Sequence, residues 1–103
     1  KEFSFTLHLQ GAAWENYRQK IIMNLKHLIG KEFYCCVHKS PWQYYFENDN
    51  YVLLDELVKS ESGFAAFCDH DFMKLSRKIP ISDLSRVPRY AAETLELILK
   101  IMC

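Results

Sequence analysis

Glycine and proline are scarce in this chain, three of each among 103 residues. So few glycines leave no loop able to cradle a phosphate, which argues against P-loop and dinucleotide-binding turns. The same scarcity excludes collagen-like repeats and linker composition. No apolar run approaches the ~20 residues that a membrane helix needs, and no secretory signal pattern opens the sequence. Charge of one sign is also missing. Thirteen basic residues balance thirteen acidic ones, so no overall field draws nucleic acid, membrane or an acidic substrate.

Cysteine is present four times, at 35, 36, 68 and 103. Cys35 and Cys36 are adjacent and would point to opposite faces of a strand, while Cys103 is the last residue. The spacing reads as four free thiols and an intracellular setting, cytoplasmic or nuclear. Half of the residues are apolar, 15% aromatic and 25% charged, which suits one globular domain spanning 1–103. The sequence starts on a lysine within two residues of a strand pattern and stops on a helical one. A domain excised from a longer chain is therefore expected.

What is present is periodic. Phe3, Phe5, Leu7 and Leu9 alternate with Ser4, Thr6 and His8, the pattern of a half-buried strand, and Gln10-Gly11 breaks it. From 12 to 29 the period lengthens. Trp14, Tyr17, Ile21, Leu25 and Leu28 recur at three and four, predicting an amphipathic helix closed by Gly30. Residues 32–39 read as a second strand, ended by Ser40-Pro41. Segments 43–47 and 51–54 flank Asn48-Asp49-Asn50 and predict a hairpin. Residues 53–60 fit either a strand or a short helix. Phe64 to His70 suggests a fourth strand, and 71–87 reads as irregular. Pro88 opens a second long amphipathic helix over 88–102. The expected fold is α+β: an antiparallel sheet of three to five strands with both long helices on one face.

Several groups of residues could carry chemistry. Cys36 with His38 and Cys68 with His70 would offer two thiolates and two imidazoles to zinc if both pairs lay on neighbouring strands. Cys68-Asp69-His70 suggests a thiol nucleophile on paper, yet strand neighbours point apart and no oxyanion-binding turn accompanies them. Carboxylates at Glu47, Asp49, Asp55, Glu56, Asp69 and Asp71 have nothing that sets two of them across a cleft. No catalytic residue and no cofactor is expected. Lys74, Arg77, Lys78, Arg86 and Arg89 gather into a basic patch around the irregular segment, suited to an acidic partner, phosphate or headgroup.

The last helix carries two apolar lines. Ala91, Leu95, Ile98, Leu99 and Met102 form the first, and Tyr90, Leu97 and Ile101 the second. A helix covering its own core needs only one, so Tyr90, Leu97 and Ile101 are expected to anchor a protein partner or a second copy. Trp42 and Tyr45 are added from the aromatic hairpin, since Trp and Tyr dominate interface energetics. The functional expectation is a non-enzymatic interaction domain of an intracellular multidomain protein. The alternatives are an RNA- or single-strand-binding domain with an aromatic sheet face and a small zinc-stabilised module.

Overall fold

A computed structural model describes residues 2–37 and 50–103. Strand β1 (Glu2–Gln10) runs into helix α1 (Gly11–Asn24), which tightens into a 3-10 turn over Leu25–Leu28. Strands β2 (Tyr34–Cys36) and β3 (Tyr51–Leu53) are short. One turn of helix, α2 (Leu54–Leu57), precedes α3 (Glu61–Asp69). Strand β4 (Phe72–Pro80) then leads through a 3-10 segment, Ile81–Arg86, into the closing helix α4 (Val87–Met102). The sheet is antiparallel, in the order β1-β4-β2-β3. The fold is α+β, as its strand and helix patterning implies.

Local chemistry explains the junctions. Gly11 and Gly30 both hold positive φ, 60° and 80°, where a side chain would be strained. Gly30 ends the first helical stretch and donates its N–H to the Asp55 carboxylate, 3.0 Å from the nearer oxygen. That carboxylate caps the end of the first helical stretch. Pro88 lies in the first turn of α4, where its missing N–H costs nothing.

Two expectations are corrected. Phe64–His70 is not a strand, because Ser60 caps a helix there, its hydroxyl accepting the N–H of Gly63 at 3.1 Å. Residues 72–80 are not irregular either. They form β4, which lies between β1 and β2. Met73, Leu75 and Ile79 alternate along it, but Arg77 occupies the third of the four inward positions and Lys74 and Lys78 interrupt the other side. Charge there masks a period of two.

One face of the sheet carries Leu7, Leu9, Cys35, Val52, Met73 and Leu75. Trp14, Ile21, Leu25, Leu28, Leu54, Leu57, Phe67, Leu97 and Ile101 pack on that same face in a single apolar cluster. Both long helices thus lie on one side. The opposite face presents Ser4, Thr6 and His8 from β1, Lys74, Ser76 and Lys78 from β4, Tyr34 and Cys36 from β2, and Tyr51 from β3.

Candidate functional site

Helix α4 turns inward the line on which the sequence placed partner anchors. Leu97 is 6% exposed and Ile101 fully buried, with Thr94, one turn before Leu97, at 2%. Tyr90, half-buried, lies against Phe5 with ring centroids 5.9 Å apart. Leu97 and Ile101 therefore fill the core and cannot be surface anchors, while Tyr90 is partly covered by Phe5 and Arg77. The other line faces out, with Leu95 58% and Leu99 49% exposed. Ala91, Ile98 and Met102 flank it, half-buried. Which of the two lines the sheet would take was not legible, because both are apolar and only Thr94 and the chain's path decide between them.

The five basic residues do not form one patch. Lys74 and Arg77 belong to the middle of β4, and both are buried, at 2% and 4% exposure, on opposite faces. Arg77 reaches across the helical side as a hub. Its Nε donates to the Lys31 carbonyl at 2.9 Å, one Nη to Thr94 Oγ1 at 2.9 Å, and the other to Glu93 Oε1 at 2.8 Å. Its guanidinium also sits 4.1 Å from the Tyr90 ring centroid and 5.4 Å from that of Phe33. Thr94 passes its own proton to the Tyr90 carbonyl at 2.7 Å. Every Arg77 nitrogen is thus engaged, as a buried charge requires. The Tyr90 hydroxyl beside it is buried with no hydrogen-bond partner, and burial pushes its pKa up against the pull of Arg77.

Arg86 and Arg89 stand apart, lining with Ser85, Tyr90 and Glu93 a cleft of about 460 Å3 where α4 begins. Arg86 meets Asp83 at 3.3 Å across exposed side chains, a contact of small energy. Glu93 is already matched by Arg77.

On the outer face, cations lie over aromatic rings. The Lys78 ammonium is 4.7 Å from the Tyr34 ring centroid, and that of Lys74 is 5.9 Å from Tyr51. The Thr6 and Ser76 hydroxyls hydrogen-bond at 2.8 Å between them. Burial holds the Lys74 ammonium below its ordinary pKa, opposed by the neighbouring Cys36 thiol. Lys74, Ser76 and Cys36 are each at most 2% exposed, so the middle of this face is enclosed. Trp42 and Tyr45 from the expected hairpin, its first strand over 43–47, and His38 lie outside the described residues.

The zinc arrangement does not assemble as the sequence suggested. Cys36 faces outward on β2, whereas Cys68 sits on α3 and packs against the core on the other side of the sheet. His70 follows that helix. Its ring stacks on Phe72 at 5.4 Å, and its carbonyl accepts the Trp14 indole N–H at 2.9 Å as well as Arg18. Among the described residues no group of three metal-ligating side chains converges. Cys35 is fully buried, and burial drives its thiol far above the ordinary range. Burial also raises Cys68, with Arg18 acting against it. Both are protonated at neutral pH, which suits packing rather than nucleophilic attack.

No helix among the described residues is long and apolar enough to cross a membrane. Scans against protein-family models, curated proteins and solved structures found nothing that matches this chain.

Proposed function

We propose that this domain is a non-enzymatic protein–protein interaction module that associates through the outward stripe of α4. The supporting observation is that Leu95 and Leu99, one helical turn apart, stay about half exposed on a helix whose inner line already fills the core. Ile98 and Met102 beside them pack against the core, and exposed apolar surface next to such a face commonly marks an interface. The buried polar groups support a structural reading. Arg77 is matched inside the fold, and burial raises the pKa of the Cys35 and Cys68 thiols. The number and spacing of the cysteines favour a reducing compartment, the cytoplasm or nucleus of a cell, as the setting.

A single-stranded nucleic-acid surface on the outer sheet face has weaker support. Aromatic rings and lysines do meet there, but Lys74 is enclosed and the chain has no net positive charge to engage phosphates.

The pair Leu95→Asp with Leu99→Asp should leave the melting temperature within a few degrees of wild type, because neither side chain is in the core. It should abolish association, read by sedimentation velocity or by loss of a captured partner. Leu97→Asp, by contrast, buries an unpaired carboxylate and should unfold the domain, at a cost of about 4 kcal/mol or more. Association that survives the outer pair would refute this reading.

A further inference from the structure

Among the described residues the two edges of the sheet are unlike: β3 offers three residues of edge, too few to template a new strand, whereas β1 offers nine. Natural edges of that length are blunted by proline, by lysine, by inward-pointing charge or by a bulge. Residues 2–10 contain no proline, lysine or arginine, and the β1–β4 register runs one to one over nine pairs without a bulge. The single charge, Glu2, stands at the very end and lies 3.7 Å from the Lys78 ammonium.

Hydrogen-bond parity shows which backbone groups face outward. In an antiparallel ladder the N–H and C=O of one residue point to the same neighbour, and successive residues alternate. The Phe33 carbonyl accepts the Leu54 N–H, and the Val37 N–H donates to the Asn50 carbonyl. Odd positions of β2 therefore address β3, and even ones address β4. Tyr34 pairs with Ser76, so even positions of β4 address β2 and odd ones address β1. Odd β4 residues pair with odd β1 residues, as Phe5 does with Arg77. The main-chain groups of Ser4 and Thr6 consequently aim away from the sheet, and both residues are exposed.

We propose that two copies of this chain join edge to edge through β1, antiparallel and two-fold symmetric about Thr6, merging their sheets into one. The strand is complementary to itself in that register. Thr6 faces Thr6 of the second copy, Ser4 faces position 8, and Glu2 faces Gln10, so no like charges oppose. On the helical side Phe5 faces Leu7 and Phe3 faces Leu9. Phe3 is 39% exposed in the single chain, and Phe5, Leu7 and Leu9 are half-buried, so the pairing covers apolar surface the edge now leaves in water. A slip of one residue would set apolar against polar on both faces. A C2 contact of this kind is closed and forms no filament. The proposal rests on reading the domain as self-associating, but it places the contact on the sheet edge rather than on α4.

The test uses disulfide trapping. Opposed residues of a hydrogen-bonded antiparallel pair have Cα atoms about 5.5 Å apart, within disulfide reach. With the exposed Cys103 changed to serine, Thr6→Cys should give a covalent dimer under mild oxidation. Ser4→Cys should not, because each copy's position 4 faces position 8 of the other. Thr6→Lys should weaken self-association about tenfold or more in sedimentation equilibrium, since two ammoniums would then meet at the axis. Circular dichroism should show its fold unchanged. A Thr6→Cys chain that stays monomeric, or Ser4→Cys trapping equally well, overturns the register. If Leu95→Asp with Leu99→Asp dissociates the dimer and Thr6→Lys does not, the edge contact is wrong and the helix contact stands. A wild-type chain that is monomeric at the highest soluble concentration also overturns edge pairing, while leaving α4 open to a different partner.

Discussion

At Arg77 a full positive charge is held out of water by three acceptors and two aromatic rings. Its carboxylate partner Glu93 is 53% exposed, so the ion pair itself is partly screened, and the larger energy lies in the buried hydrogen bonds. Arg77→Met keeps the apolar stem but strands the Lys31 carbonyl and deprives Thr94 of a donor. We expect a loss of about 2–4 kcal/mol in urea denaturation. Arg77→Lys should recover less than half of that, because one ammonium cannot span three acceptors set around a planar fork. None of this was legible beforehand. An arginine between a serine and a lysine reads as solvated, and only the return of α4 across the sheet supplies its partners. Leu97 and Ile101 were misplaced for a similar reason, since apolar character marks what can be buried and not which of two apolar lines is.

Elements differ in how openly they announce themselves. β1, α1 and α4 were legible because each holds a clean period over at least nine residues, with glycine or proline at its ends. The reading of α3 as a strand and of β4 as irregular came from short range. Phe64-Ala65-Ala66-Phe67 suits either geometry, and the deciding feature is Ser60, three positions before the N–H it caps. Ser60→Ala should therefore cost about 1 kcal/mol, measured from the shift of the thermal midpoint. Gly63→Ala would not be the stabilising change that helix propensity suggests, because the new Cβ would fall 2.9 Å from the Ser60 hydroxyl oxygen.

Across the whole molecule, buried thiols make stability depend on alkalinity. The folded Cys35 thiol titrates far above its ordinary value of 9.0, so above that pH the native state holds a proton that the unfolded chain releases. Stability must then fall as pH rises past about 9. Lys74 acts in the opposite sense: burial lowers its pKa, so the unfolded chain holds the extra proton and stability rises up to the lysine's ordinary value of 10.5. Cys35, fully enclosed, should dominate. Urea midpoints measured from about pH 8 to about pH 10.5 should decline in the wild type and decline less steeply in Cys35→Ala, even though that variant starts lower because of the cavity it leaves.

The place of β4 in the sheet has a kinetic consequence. β1 is made first, yet its neighbour in the sheet comes late in the chain, and the Thr6 and Ser76 hydroxyls that meet between them are 70 positions apart. Among the described strands β1 has no partner in the sheet until that long loop closes, and its closing costs entropy before contacts repay it. While β1 waits for β4 on a growing ribosomal chain, both of its sides are open to other chains. For that interval the strand is a hazard as well as a building block, because an unpaired strand edge can template pairing with another chain.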